Sequence, residues 1–211
     1  MKKATVSFIL AFVLVFAVFI PGAAQEKKGV NIVFILDNAS VRGCAESGSL
    51  FDRVADVAVS SGKRITVLFD ADMNYNGDYA SALMKACSAG MFIGVYDGGR
   101  TGPDERIRRA LMYQKYVIKS SSRLVGAGSE GAELYGDEYC VYKIDIMVLN
   151  SSIIERLATV DAESLDFAMK IDADMISVAT DFIKNSGEND LYMISPTEYG
   201  TYSDNGGDRN G

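Results

Sequence analysis

Histidine is absent from this sequence of 211 residues, and so is tryptophan. Without imidazole the chain cannot build a Ser-His-Asp site, a Cys-His site, a histidine general base or a zinc site with histidine ligands. We therefore expect no cofactor and no tightly bound transition metal. The lack of tryptophan removes the best stacking platform for sugar rings, although 11 tyrosines remain.

Cysteine is scarce, with Cys44, Cys87 and Cys140 as its three positions. Because the number is odd, at most one intramolecular disulfide can form, and a Cys44–Cys140 pair stays open on the sequence alone. Cys87 falls on the apolar face of a predicted helix, so we expect it in the core. A cysteine nucleophile would lack its usual histidine base.

Basic residues are outnumbered, with 21 Lys and Arg against 28 Asp and Glu, which gives a formal net charge of −7. Nucleic acid binding needs a basic surface, so we expect no nucleic acid partner. Hydrophobic residues make up 48% of the chain, enough for a sizeable core. The length is typical of one domain.

The first 24 residues have the organisation of a signal peptide. Lys2 and Lys3 precede an apolar run from Val6 to Ile20, and small residues up to Ala24 predict cleavage there. An uncleaved anchor is the alternative, although the run is short for a membrane span. We expect a secreted, periplasmic or cell-envelope protein without stable membrane insertion after cleavage.

Three segments follow from this interpretation. Residues 1–24 are the signal peptide, residues 25–200 form the domain, and the polar, glycine-rich residues 201–211 are a disordered tail. Loss of Lys2 and Lys3 changes the net charge from −7 to −9. Such a charge argues against attachment to an anionic membrane.

Strands and helices alternate along the first half of the domain. The buried strands are predicted at Val30–Leu36, Arg64–Phe69, Met91–Tyr96 and Arg123–Val125. The first three are each followed by a helical pattern: one capped by Ser49 with Asp52, one capped by Asp78, and one starting at Pro103 with Asp104 and Glu105 in its first turn. This alternation is typical of a parallel sheet covered by helices.

The second half is less regular. Tyr142–Leu149 predicts a strand, Leu165–Met169 a strand or the start of a helix, Asp172–Asn185 a helix, and Leu191–Ser195 a closing strand.

Acidic residues follow the predicted strands, where the site of a parallel α/β fold lies. They are Asp37, Asp70 with Asp72, Asp97, and later Glu130 and Glu133. Such carboxylates could hold a hard cation or act as acid and base. Their plainer role is to cap helices and form turns. Asp37 is the best single candidate, because it directly follows the most buried strand.

Two further motifs are weaker. The glycine-rich run Gly98–Gly102 precedes a helix and could cradle an anion, but it lacks the P-loop lysine, so a plain loop is the simpler interpretation. The metal motif of von Willebrand A domains, Asp-x-Ser-x-Ser, would fall on Asp37, Ala39 and Val41, where both hydroxyls are missing.

The order and spacing of the motifs resemble the polysaccharide deacetylase family. The segment Tyr79–Gly94 resembles the family's helix and the strand that follows, Ile65–Phe69 its "Ala-Thr-Phe-Phe" strand, Asp104–Ile107 its next helix start, and Arg123–Gly126 its fourth strand. The resemblance covers about residues 31–125. It implies an α/β fold, namely a distorted (β/α) barrel of about seven mostly parallel strands.

The family's catalytic positions are largely replaced. In its Thr-Phe-Asp-Asp-Gly motif the first Asp is the base and the second a metal ligand, and here Asp37 keeps the base while Asn38 replaces the ligand. Tyr96 and Arg100 stand at the two histidine ligand positions, Val125–Ser129 replaces Arg-Pro-Pro-Tyr-Gly, and the late catalytic histidine has no counterpart. The family's Asp-His-His metal site therefore cannot be built.

The resemblance thus implies a degenerate deacetylase-like protein without metal-dependent hydrolysis. Asn38, Tyr96, Asp97 and Arg100 would bind a glycan or another polar ligand of the cell envelope, and Arg100 would pair with Asp37 and lower its pKa. Two alternatives stay open. One is a carbohydrate-active hydrolase that pairs Asp37 with Asp97 or Glu130, and the other is a scaffold for interactions.

Overall fold

The computed structural model describes residues 28–99, 102–143, 164–185 and 191–193. Within them the chain forms a parallel sheet whose strand order is β5-β4-β3-β2-β1-β6, with β7 also paired to β1. The strands are β1 (Lys28–Leu36), β2 (Thr66–Asp70), β3 (Phe92–Tyr96), β4 (Leu124–Ala127), β5 (Cys140–Lys143), β6 (Ser164–Lys170) and β7 (Leu191–Met193).

Four longer helices lie between these strands in the described residues. They are α1 (Leu50–Ser60), α2 (Gly77–Ser88), α3 (Glu105–Ile118) and α4 (Ile176–Asn185), with short helical turns at Asn38–Val41, Cys44–Glu46, Ser129–Ala132 and Glu133–Glu138. Every described strand pair is parallel. The predicted α/β barrel class with mostly parallel strands is confirmed.

Helix α1 begins where the sequence predicts. The Ser49 hydroxyl accepts from the Asp52 backbone N–H at 3.0 Å, and the Asp52 carboxylate accepts from the Ser49 N–H at 2.8 Å. This reciprocal capping box satisfies two donors that the first helical turn cannot satisfy itself. Lys85 of α2 reaches the same carboxylate at 2.8 Å, so the cap also joins the two helices.

Two helix starts differ from the prediction. Asn76 caps α2 through its bond with the Tyr79 N–H, whereas the predicted cap, Asp78, accepts from the Ala45 N–H across the loop. Asp104 is itself the cap of α3 and not a first-turn residue. In both cases the residue with extended backbone directly before the helix is the one whose side-chain oxygen reaches the free N–H groups.

The expected core position of Cys87 is wrong. Its side chain is exposed near the end of α2, whereas the buried face of that helix consists of Tyr79, Ala82, Leu83 and Ala86. All three thiols are free in the structure, and the buried one is Cys44.

The second half is clarified in part. The segment that fitted either a strand or a helix start is strand β6. Helix α4 starts at Ile176, later than predicted, because Asp172 holds a turn through the N–H groups of Asp174 and Met175. The predicted Tyr142–Leu149 strand begins earlier, at Cys140, and its last six residues lie outside the described part, as do the predicted signal peptide and tail.

The two faces of the sheet carry different cores. The helices pack on the outer face around Phe34, Phe51, Phe69 and Tyr79. A second cluster contains strand residues only (Val33, Ile35, Leu68, Tyr96, Leu124 and Ala168), and it fills the interior of the barrel.

Gly94 lies beside the interior cluster, and a Cβ built on it would stand 2.6 Å from the Leu124 carbonyl oxygen and 2.8 Å from a Leu68 methyl. Only glycine therefore allows β3 to approach β4 this closely. Among the described helices none is long and apolar enough to cross a membrane.

Candidate functional site

The carboxyl ends of the parallel strands bring four side chains to one end of the barrel. Asp37 directly follows β1, Asp70 ends β2, Tyr96 ends β3 and Lys170 ends β6. The register pairs Asp70 with Tyr96, and it pairs Leu36 with Phe69, so Asp37 follows β1 at the level of Asp70. Lys170 pairs with Ile35 and therefore stands two residues below Asp37. We call the group Asp37, Asp70, Tyr96 and Lys170 the barrel mouth.

Asp37 has two structural tasks in the mouth. One carboxylate oxygen accepts from the N–H groups of Ala39 and Ser40 at 2.9 and 3.0 Å and so caps the short turn Asn38–Val41. The other oxygen lies 2.8 Å from the Lys170 ammonium nitrogen. Both oxygens are therefore engaged by groups of the chain itself.

The electrostatics of Asp37 follow from these contacts. Burial by itself would raise the pKa of the carboxyl, but the hydrogen bond and charge of Lys170 and the two backbone donors outweigh burial and lower it. A carboxylate held in this way is a weak general acid. The pKa of Lys170 is raised, first by the Asp37 hydrogen bond and further by the charges of Asp37, Asp70 and Asp172.

Asn38 points away from any ligand-like pair with Asp37. Its side-chain oxygen accepts from the Asn74 N–H at 2.8 Å, and so it holds the β2–α2 loop against the turn after β1. In that loop Asp72 pairs with Arg106 of α3 at 3.0 Å. Asn38 as a whole is exposed.

Tyr96 lies deeper in the mouth, with 8% of its surface exposed, against the interior cluster. Its hydroxyl borders Gly99, where an added Cβ would stand 3.5 Å from it. Burial, and then the charges of Asp97 and Asp70, raise the pKa of the phenol. Tyr96 therefore stays protonated and can donate a hydrogen bond into the mouth.

Asp97 is adjacent to Tyr96 in sequence but turns to different partners. Its carboxylate is buried and accepts from the Gly99 N–H at 2.8 Å and from the Tyr135 hydroxyl at 3.1 Å. Tyr135 belongs to a cluster formed with residues of α3 and β4. The structure therefore brings Asp37 and Tyr96 together at the mouth, and it places Asp97 in the packing beside it.

Lys170 is the mouth residue that the sequence analysis missed. The predicted partner of Asp37 was Arg100, which lies outside the described residues, as do the side chains of Glu130 and Glu133. A signal for Lys170 exists: it directly follows Leu165–Met169, the segment predicted as a strand or the start of a helix, and it stands two residues after the inward-facing Ala168. Its pairing with Asp37 required the β1–β6 register, which the sequence does not contain.

The mouth does not fit the metal that the family resemblance implies. Asn38 and Tyr96 stand at two of the three positions that the resemblance assigns to metal ligands, and the amide oxygen of Asn38 already accepts from the Asn74 N–H. The ammonium group of Lys170 sits on the carboxylate that borders the site. Across the described residues, no group of three His, Cys, Asp or Glu side chains is placed to hold a metal ion.

Comparison with known proteins identifies the fold. No protein-family model and no curated protein sequence matches this chain. Among solved structures, the peptidoglycan deacetylase PdaC from Bacillus subtilis superposes with a TM-score of 0.59 at 13% identity, over 82% of this chain and 90% of that one. The family 4 carbohydrate esterase from Streptomyces lividans gives 0.56 at 13% identity, over 82% and 96%.

A third structure is a mutant of a family 4 pseudoenzyme with restored enzymatic activity, at a TM-score of 0.59 and 9% identity, over 82% of this chain and 67% of that one. The chain thus has the fold of the polysaccharide deacetylases. The resemblance stated from the sequence is confirmed at the level of the fold.

Proposed function

We propose that this protein is an exported member of the deacetylase fold that has lost metal-dependent hydrolysis and binds a glycan or related polar ligand of the cell envelope at the barrel mouth. The ion pair between Lys170 and Asp37 carries this proposal. The resemblance assigns Asp37 as the catalytic base, and in this chain the ammonium group of Lys170 is already paired with that carboxylate.

Loss of hydrolysis follows from the state of Asp37. A general base must be free to accept a proton, and it does so best when its pKa lies near the working pH. Asp37 instead has a lowered pKa and four hydrogen-bonded contacts, from Ala39, Ser40 and Lys170. One of the similar structures derives from a family 4 pseudoenzyme, which supports the proposal that this fold can be retained without the activity.

Ligand binding follows from the groups that remain available at the mouth. The ammonium of Lys170 has three donors, and its side chain is 59% exposed, so it can bond to a ligand while paired with Asp37. The phenol of Tyr96 and the amide of Asn38 add further donors. Such a set of donors beside carboxylate acceptors suits the hydroxyl and amide groups of a sugar.

The alternative of a carboxylate hydrolase loses one of its two pairs. Asp97 is bonded to Tyr135 and Gly99, so it is not directed at a substrate held by Asp37. No observation on the described residues favours that activity, and we retain the binding function.

Acetate release and ligand binding test the proposal together. The protein without residues 1–24 is incubated with N-acetylglucosamine oligomers and with peptidoglycan fragments, with and without added zinc or cobalt. We expect no acetate above a blank under any condition. In isothermal titration calorimetry we expect saturable binding to one of the glycans. Metal-stimulated acetate release would contradict the loss of hydrolysis, and absence of binding to every glycan would contradict the ligand.

Two variants locate the binding site. Lys170→Met should weaken glycan binding, because it removes the exposed donor of the mouth. Lys184→Met removes an exposed lysine from α4, and it should bind as the parent protein does. Equal binding by the two variants would place the ligand elsewhere.

A further inference from the structure

Helix α3 carries a charge opposite to that of the protein as a whole. Residues 105–119 contain five basic residues and one acidic residue, a net charge of +4 in a chain whose net charge is −7. The remaining sequence therefore carries −11. Such an asymmetry concentrates positive electrostatic potential on α3, whereas the rest of the chain is negatively charged.

Three of the five basic residues share one exposed face of α3. Arg108, Met112, Lys115 and Lys119 follow one another at three- and four-residue spacing, Tyr116 lies four residues after Met112, and all five are exposed. Ile107, Ala110 and Gln114 form the opposite, buried face. Arg109 is also exposed and lies beside this face, whereas Arg106 pairs with Asp72 and Asp104 and does not belong to it.

Two large apolar side chains protrude from the middle of this face. Met112 is 72% exposed and Tyr116 is 71% exposed, the highest values among the large hydrophobic residues that the structure describes. The ammonium of Lys119 lies over the Tyr116 ring, 4.5 Å from its centre. Glu105 and Glu138 are the acidic groups that act on Arg108, at one end of this face.

We propose that this exposed face of α3 is a docking surface for the anionic surface of a phospholipid membrane. Lys and Arg side chains near such a surface each contribute favourably, and Tyr is suited to the interface between headgroups and acyl chains. The exposed Met112 decides between partners. A thioether gains nothing on a hydrated polyanion, but it gains by burial among lipids. Binding is peripheral, through one face of a helix whose other face remains in the core.

Vesicle co-sedimentation of the protein without residues 1–24 tests this docking surface. We expect binding to vesicles of phosphatidylcholine with about one-third phosphatidylglycerol, little binding to phosphatidylcholine alone, and loss of binding at about 1 M salt, where screening is nearly complete. The double variant Lys115→Gln/Lys119→Gln should bind about 30-fold more weakly, since each charge contributes about 1 kcal/mol and 1.4 kcal/mol is tenfold. Met112→Ser should also weaken binding, with the charges intact.

The matched control Arg53→Gln/Lys184→Gln removes the same charge from exposed positions on α1 and α4, and it should bind as the parent protein does. Circular dichroism confirms that each variant is folded. Equal binding to neutral and anionic vesicles, or an unchanged affinity of Lys115→Gln/Lys119→Gln, would overturn the proposal. Binding to soluble polygalacturonate but not to vesicles would overturn it in favour of an anionic polymer.

Discussion

Replacing Lys170 by methionine isolates the contribution of the ion pair at the barrel mouth. Methionine keeps much of the aliphatic stem and removes the charge that lies 2.8 Å from Asp37. The Lys170 side chain is 59% exposed and that of Asp37 is 25% exposed, so water screens the pair. For such a partly exposed pair we expect the free energy of unfolding at pH 7 to fall by about 0.5–1 kcal/mol.

The pH dependence gives the sign. The pKa of Asp37 is lowered in the folded protein, so its ionised form contributes stability above the ordinary value of 3.8, and this contribution is lost as pH falls through the lowered pKa. The difference between the parent protein and Lys170→Met should therefore be full at pH 7. It should shrink below about pH 4. Urea denaturation at a series of pH values measures it.

A double-mutant cycle separates the pair from other effects of the substitution. Asp37→Asn keeps a side-chain oxygen for the cap and removes the charge, and the double variant completes the cycle. Lys184→Met, an exposed lysine of α4, is the control for loss of one positive charge. Two results together would refute the reasoning: a coupling energy of zero, and an NMR titration in which Lys170→Met leaves the pKa of Asp37 unchanged.

Three further outcomes follow from the packing. Gly94→Ala should lower the free energy of unfolding by about 3 kcal/mol in a denaturant titration, because its Cβ would meet the Leu124 carbonyl, and a loss below about 1 kcal/mol would contradict that contact. Ser49→Ala should cost about 1 kcal/mol in the same assay, whereas Ser60→Ala near the end of α1 should cost less. In a thiol-reagent assay of the native protein at pH 8, the exposed Cys87 should react quickly and the buried Cys44 slowly. Burial, and then the charge of Asp52, raise the pKa of the Cys44 thiol to about 11. Comparable rates for the two thiols would contradict the burial of Cys44.

The sequence predicts those parts of the fold that local signals determine. The unbroken apolar run of β1 is itself the signal for a buried strand, and the two residues of the Ser49–Asp52 capping box lie three apart, so both patterns are sufficient for these predictions. Cys87 was misplaced because a residue at the end of a helical stripe can face either way.

The site was harder to predict than the fold. Tyr96 and Asp97 were assigned to one ligand site, although consecutive residues at a strand end point to opposite sides. The partner of Asp37 comes from β6, more than 130 residues away along the chain, and only the strand register brings the two together. The net charge of −7 averages over a surface on which residues 105–119 alone carry +4.

Under the function proposed above, the ammonium of Lys170 also opposes the return of metal-dependent hydrolysis. A histidine introduced at position 96 would enter a site that already contains a cation, so a metal ion would have to displace or oppose that charge. Loss of Lys170 first would leave Asp37 and Asp70 without a counter-charge from β6 until a metal was bound. A metal at this mouth therefore calls for changes on β3 and β6 together.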